Sequence, residues 1–135
     1  MRSKPWVVPV PGGEGFTAAQ RQQIDKAIRD AEVESRYEFS VYVGPADEDT
    51  RDFAERLHAA LVSPTRSVLV MVDPVARVLE VVTGAEVRRE LDDNEVRLAL
   101  ADMQTLLDHG DLAGGIVRGI NRLSAYARGP RTLHA

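Results

Sequence analysis

The 135-residue sequence has no cysteine, few aromatic residues and no long apolar run. Without cysteine, the chain can form neither a disulfide nor a thiolate metal site, and it has no thiol nucleophile. No segment approaches the ~20 apolar residues that a membrane-spanning helix needs, and the basic N-terminus lacks the apolar core of a signal peptide. We therefore expect a chain without a membrane span that is located in the cytoplasm.

Lysine is also scarce: Lys4 and Lys26 are the only lysines among 17 basic residues, and 21 acidic residues give a formal net charge of -4. A protein that binds nucleic acid usually presents a concentrated basic face to the phosphates. The composition therefore predicts no nucleic-acid partner. An apolar fraction of 44% is instead typical of one globular domain with its own core.

The clearest structural pattern is the apolar run Val-Leu-Val-Met-Val at residues 68–72. This run is too short for a lone helix and rich in β-branched residues, which predicts a strand covered on both faces. Asp73 and Pro74 then suit the first two positions of a type I turn. Residues 77–83 return as a second strand, so we predict a β-hairpin whose first strand lies at the centre of a sheet.

Two helices and a strand are predicted before the hairpin. Thr17 and Gln20 have capping-box spacing for a first helix. Residues 37–43 alternate as a strand, and residues 49–61 have helical periodicity. Because a strand, a helix and a buried strand follow one another, the two strands should be parallel and joined by a right-handed crossover.

Two more helices are predicted after the hairpin, beyond a charged connector or short helical turn at residues 85–91. The third helix begins near Asp92 or Asp93, and Gly110 suits a left-handed cap at its end. Asp111 caps a fourth helix. The order α-β-α-β-β-α-α predicts a layered α/β fold in which helices cover a small mixed sheet; the resemblance described below implies that the layers are three, α/β/α.

The domain proper is predicted to span residues 17–127, between an extended N-terminal arm (residues 1–16) and a C-terminal tail (residues 128–135). Three prolines in the arm forbid a helix. Trp6 and the neighbouring valines are too apolar for a simple linker. The arm therefore either packs across its own domain or reaches a partner, which could be a second copy of the chain.

Arginines collect at one end of the predicted sheet. Arg36 and Arg66 precede the two parallel strands, and Arg88 follows the third strand. Guanidinium groups bind phosphate and carboxylate ligands. These three arginines are therefore candidates for binding a phosphate or a similar ligand.

Carboxylates are predicted at the same end, where Glu86, Asp92 and Asp93 follow the third strand. Clustered carboxylates hold hard cations such as Ca²⁺ or Mg²⁺, so these three residues are candidate metal ligands. Asp92 and Glu95 also have the spacing of a helix cap. Mixed charges are common on solvated surfaces, and this structural alternative stays open.

Other motifs do not predict catalysis. The acidic segment that begins at Asp47 partly matches the motif of aspartate-nucleophile phosphatases and a calcium-binding loop. Arg51 stands where the first would have threonine and the second a calcium ligand. We therefore interpret Asp49 as a helix cap. Asp73 follows the central strand, where ligands often bind, but Asp before Pro is also favourable turn chemistry. The chain has no Gly-x-Ser-x-Gly nucleophile motif.

Four features together resemble the TPM domain family. A helix and strand open the domain, the apolar strand forms a hairpin with a strand that ends in Gly84, and Leu91-Asp92-Asp93 opens the third helix. The segment from Gly110 to Gly115 (Gly-Asp-Leu-Ala-Gly-Gly) is similar to the family's Gly-Asp-aromatic-x-x-Gly signature. The likeness covers residues 17–127 and is strongest to an uncharacterised actinobacterial branch.

The resemblance implies the three-layer fold and allows two functions. Members include a thylakoid-lumen protein with acid phosphatase activity and an auxiliary subunit of an acetylcholine receptor. The chain lacks the family's Trp-Gly-x-Gly and Asn-Gly segments between the second helix and second strand. We therefore expect a non-catalytic accessory or protein-interaction domain with a protein partner; the alternative is a metal-assisted acid phosphatase of phosphomonoesters. The matching residues Gly84, Gly110, Asp111 and Gly115 are interpreted as turn, cap and packing positions.

Overall fold

A computed structural model describes Trp6 and residues 16–128, and these form one layered α/β domain. The elements in chain order are α1 Ala18–Ser35, β1 Glu38–Val43, α2 Thr50–Ala59, β2 Ser67–Asp73, β3 Val78–Thr83, α3 Asp93–Asp108 and α4 Leu112–Ala127. Single 3₁₀ turns at Pro64–Arg66 and Val87–Arg89 precede β2 and follow β3. The predicted fold class and element order are confirmed.

The sheet has the order β1-β2-β3, with β2 at its centre. Strand β2 runs parallel to β1, pairing Val68 with Phe39, and antiparallel to β3, pairing Val70 with Val81. Every residue of β2 is buried, as its unbroken apolar run predicts. The pairing therefore confirms both the parallel crossover and the hairpin.

Helices cover both faces of this sheet. Leu69 and Met71 of β2 pack with Ala54 of α2 on one face. The other face, which includes Val68 and Val70, packs into the larger core with α1, α3 and α4. Alternate residues of one strand thus face opposite layers, because successive side chains of a strand point to opposite sides.

Helix α4 packs closely against α3 because glycines face the neighbouring helix. A Cβ atom at Gly119 would lie 2.2 Å from Met103 Sδ, and one at Gly115 would lie 3.0 Å from Leu107 Cγ. A larger side chain at either position would require Met103 or Leu107 to shift. Gly115, the last residue of the predicted signature, is therefore a packing residue, as is Gly119 one turn further along α4.

Side-chain caps fix the helix ends as the sequence predicts. Thr17 and Gln20 form a complete capping box at α1, and the Asp111 carboxylate accepts a 2.9 Å hydrogen bond from Gly114 N in α4. Gly110 has a φ of 85°, the left-handed conformation in which a residue after a helix is usually glycine. These contacts satisfy amide groups that a helix end leaves unpaired.

Asp73 organises the loop between β2 and β3. Its buried carboxylate accepts hydrogen bonds from Ala76 N at 3.1 Å and from Ala46 N at 3.0 Å. Arg77 closes the loop with a φ of 60°. Both carboxylate oxygens thus bind backbone amides, in agreement with the turn interpretation of Asp73.

Trp6 is the one residue before Phe16 that the structure describes, and its side chain is buried against the domain. Residues 1–5 and 7–15 of the predicted arm and residues 129–135 of the predicted tail lie outside the described residues. Arg128, the first tail residue, forms a 2.7 Å ion pair with Glu34 of α1. No helix in the described part of the chain is long and apolar enough to cross a membrane.

Candidate functional site

The candidate site lies where β1 and β2 begin and β3 ends, and backbone contacts hold this end together. Glu86 N donates to Thr65 O at 2.9 Å, and Gly84 N donates to Ser67 O at 3.0 Å. A Cβ atom at Gly84 would lie only 2.1 Å from Pro64 O. Gly84 is therefore required by the close approach of the 3₁₀ turn that precedes β2.

Arg66 is the centre of the charged contacts at this end of the sheet. Its Nη1 lies 3.1 Å from Glu86 Oε1, and its Nη2 donates to the Arg36 carbonyl at 2.5 Å. The guanidinium carbon also lies 5.1 Å from the centre of the Tyr37 ring, a cation–π distance. The Arg66 side chain thus links the residues between α1 and β1 to Glu86, which follows β3.

Glu86 is also fully engaged within the domain. While Oε1 binds Arg66, Oε2 accepts a 3.1 Å hydrogen bond from Thr65 Oγ1. Both side chains of the ion pair are more than a third exposed, so solvent screens the attraction. The pair therefore positions its neighbours more than it stabilises the fold.

Tyr37 is a polar member of this site that the sequence analysis did not select. Its hydroxyl donates to Glu90 Oε1 at 2.7 Å and lies 3.3 Å from the Glu86 carbonyl oxygen. Burial raises the pKa of Tyr37 above its ordinary value of 10.0, and the hydrogen bond to Glu90 raises it further. In the sequence, the alternation of residues 37–43 places Tyr37 on the same face as Phe39 and gives no sign of these polar contacts.

The other two candidate arginines do not point their guanidinium groups at Glu86. Arg36 ends α1 with a φ of 70° and offers Arg66 its carbonyl, while its exposed side chain lines an open depression with Arg29 and Val33. Arg88 donates through Nη1 to the Thr83 carbonyl at the end of β3. Of the three arginines, only Arg66 therefore binds a carboxylate here.

The predicted metal ligands are used in different ways. Asp92 accepts a 2.8 Å hydrogen bond from Glu95 N, and Glu95 reciprocates by accepting from Asp92 N at 3.1 Å. Asp93 is exposed in the first turn of α3. Across Trp6 and residues 16–128, no group of three or more histidine, aspartate or glutamate side chains is placed to hold a metal ion. A cation site at Glu86, Asp92 and Asp93 stays a prediction.

The remaining polar candidates have structural partners. Asp49 caps α2 by accepting a 3.0 Å hydrogen bond from Asp52 N, as predicted, and Asp47 pairs with Arg56 at 2.8 Å. His58 is buried under the sheet, where its Nε2 lies 2.9 Å from the Ser67 carbonyl oxygen. Asp47 and Asp49 of the acidic segment that follows β1 are thus used in structural contacts.

Comparison with known proteins gives a family and uncharacterised relatives. The family model described as Domain of unknown function (DUF5130) matches residues 9–124. Two proteins of Mycobacterium tuberculosis, the uncharacterised MT2543 of strain CDC 1551 and Rv2468c of strain H37Rv, are each 27% identical over 110 residues. The match covers 82% of this chain and 66% of each relative, so this chain spans just under two thirds of their length.

Solved structures share the fold. The BA42 protein of the psychrophilic bacterium Bizionia argentinensis has a TM-score of 0.72 at 22% identity, covering 84% of this chain and 81% of that one. The N-terminal domain of cg2496 from Corynebacterium glutamicum has a TM-score of 0.67 at 15% identity, covering 89% and 83%. At such identities the likeness extends to the fold alone.

Proposed function

Because this chain belongs to the DUF5130 family of domains of unknown function, we propose its role from its own residues, as a non-catalytic accessory module that acts through protein contact. The proposal rests on the contacts that the charged groups at this end of the sheet make within the domain. Arg66 binds Glu86 and the Arg36 carbonyl, and Asp92 caps α3. These groups are engaged in holding the domain together.

A catalytic phosphate site would need its groups to face a substrate. Arg66 has both terminal nitrogens bound within the domain and its plane over Tyr37, and both oxygens of Glu86 are bound as well. A phosphate bound there would compete with these contacts and would lie beside the negative charge of Glu86, which costs binding free energy. This cost favours the accessory role.

A phosphomonoester assay tests the proposal. We expect no release of p-nitrophenol from p-nitrophenyl phosphate above the blank, with Ca²⁺, Mg²⁺ or Mn²⁺ present. The proposal is overturned by turnover that the double variant Asp92→Asn, Asp93→Asn abolishes. Asparagine is a good N-cap, so this variant removes charge while keeping the helix start. Asp30→Asn, which alters an exposed carboxylate paired with Lys26, is the matched control.

The second candidate function is a metal-assisted hydrolase of phosphomonoesters. It is favoured by the exposure of the Arg36 and Asp93 side chains, which have no hydrogen-bond or ion-pair partner in the described part of the chain. In this alternative, Glu86, Asp92 and Asp93 would bind Ca²⁺ or Mg²⁺. Arg36, Arg66 and Arg88 would bind the phosphate.

We also propose that this family is related to TPM domains. The shared features are the α-β-α-β-β-α-α order and the Gly-Asp-Leu-Ala-Gly-Gly segment at the start of α4. Asp111 of that segment caps the helix and Gly115 packs on Leu107. An alignment of both families that places these residues in the same columns would support the relationship, and a different register would contradict it.

A further inference from the structure

The strongest unassigned site in this domain is the one that Trp6 occupies. The Trp6 backbone N donates to Pro74 O at 2.9 Å, and its indole Nε1 donates to Asp108 Oδ1 at 2.9 Å. The Arg77 guanidinium carbon lies 5.3 Å from the centre of the ring. Only 3% of the residue's surface stays exposed. The site thus binds the main chain, the edge and the face of one tryptophan.

This site, the Trp6 site, is built by residues far from Trp6 in sequence. Pro74 and Arg77 belong to the loop between β2 and β3, and Asp108 ends α3. Arg77 Nη2 and Asp108 Oδ1 form a 2.7 Å ion pair, which joins the two walls of the site through the same oxygen that accepts the indole N–H. These contacts do not depend on how Trp6 is joined to α1.

The connection between Trp6 and α1 allows the tryptophan in a site to come from a different copy of the chain. Nine residues, 7–15, separate Trp6 from Phe16, and a chain of this length spans at most about 35 Å. Proteins with an element attached in this way can exchange it between identical copies.

We propose that the Trp6 site is a docking site that also accepts the tryptophan of a second copy of this chain. This inference deepens the proposed function by naming an interface and its partner. Within one chain, the short connection gives the arm an effective concentration of about millimolar. The intramolecular contact therefore dominates in dilute wild-type protein, and exchange follows when a site is empty and another arm is free.

Two complementary full-length variants test the exchange. The donor carries Arg77→Ala and Asp108→Ala, so it keeps Trp6 but has no site. The acceptor carries Trp6→Ala, so it keeps the site and contains no tryptophan, because the chain has a single one. All fluorescence from tryptophan in a mixture then comes from the donor's arm.

We expect the donor emission to move to shorter wavelength and to saturate as acceptor is added. Sedimentation should show a one-to-one complex. An acceptor that also carries Asp108→Asn should bind about tenfold more weakly, because its hydrogen bond to the indole is no longer charge-assisted. The control acceptor carries Trp6→Ala, Arg77→Ala and Asp108→Ala and should cause no shift.

The proposal is overturned if folded donor and acceptor show no shift at millimolar concentration, or if the control acceptor gives the same shift. If the donor does not fold by circular dichroism, a synthetic peptide of residues 1–11 replaces it as a first donor. If the peptide emission does not shift with the Trp6→Ala acceptor at millimolar concentration, the proposal is overturned as well. None of these readouts uses phosphatase turnover, so this test and that of the proposed function fail separately.

Discussion

At the scale of single residues, Trp6 joins parts of the domain that lie far apart in the chain. It contacts Pro74 and Arg77 in the hairpin loop and Asp108 at the end of α3. It is also part of the main hydrophobic core. Removing its side chain therefore removes both apolar burial and a hydrogen bond to a charged group.

We predict that Trp6→Ala lowers the free energy of unfolding by about 3–5 kcal/mol, the usual cost of truncating a buried aromatic residue. Trp6→Phe keeps most of the burial and loses the indole N–H, so about 1–2 kcal/mol is expected. Urea unfolding followed by circular dichroism measures both. Val75→Ala, at a residue that is 74% exposed, is the control; a loss for Trp6→Ala no larger than this one would contradict the prediction.

Tyr37 gives a prediction about pH. Its pKa is raised in the folded state above 10.0, first by burial and then by Glu90. The folded state thus holds the phenolic proton more tightly than the unfolded state does. The stability that this proton contributes is present below pH 10 and is lost as pH rises through the higher folded pKa.

We therefore expect the free energy of unfolding to fall above pH 10 more steeply in wild type than in Tyr37→Phe. The comparison requires urea unfolding of both proteins at a series of pH values from 8 to 11. Tyr42→Phe serves as a control, because that hydroxyl is bound to the Pro45 carbonyl at the exposed surface. Parallel curves for wild type and Tyr37→Phe would show that Tyr37 does not cause the loss.

At the scale of elements, α3 begins at the segment that the sequence offers as a metal site. Asp92 and Glu95 form a complete capping box there, and Asp93 lies one residue further on without taking part in it. The two neighbouring aspartates thus differ in their structural roles. Replacing each aspartate separately therefore distinguishes a capping role from a cation-binding role.

We predict that Asp92→Ala lowers the free energy of unfolding by about 1 kcal/mol, as the loss of an N-cap does. Asp93→Ala should cost a few tenths of a kcal/mol, since it loses only its interaction with the helix dipole. Thermal unfolding in excess chelator measures both without any contribution from a cation. Equal losses for the two variants would contradict the assignment of Asp92 as the cap.

The elements themselves were predictable because local patterns determine them. The β-branched run of β2, the spacing of Thr17 and Gln20 and the Gly110-Asp111 pair each indicate an element or an end within a few residues. The segment after β3 was harder to interpret. Val87 and Leu91 are fully buried there, although the charges between them gave the appearance of a solvated connector.

The candidate site was predictable only in part, because it depends on which distant residues meet. Parallel pairing of β1 and β2 correctly placed Arg36 and Arg66 near each other. Sequence could not show that Arg36 offers its carbonyl, or that Tyr37 and Glu90 share a hydrogen bond. Those contacts follow from backbone conformation and tertiary packing, which no local pattern reports.

At the scale of the whole molecule, cation binding should appear as added thermal stability. A cation that binds only the folded state at a hundred times its Kd adds about 2.7 kcal/mol, which shifts the melting temperature of a domain this size by several degrees. Under the accessory role, we expect the same melting temperature in chelator, Ca²⁺ and Mg²⁺. A selective rise that Asp93→Asn removes would instead support the hydrolase alternative, and Asp30→Asn should leave any such rise unchanged.

The contact between α1 and α4 determines when the domain can be completed during synthesis. Ser124 Oγ lies 3.1 Å from Glu34 Oε1 across 90 residues of sequence, and Ile24, Ala27 and Ala31 of α1 share one core with α4. At the usual speed of translation, α4 is made on the order of 10 s after α1. Throughout that interval, the apolar residues of α1 that pack on α4 have no α4 to cover them, and exposed apolar surface of this kind makes an incomplete domain prone to aggregation.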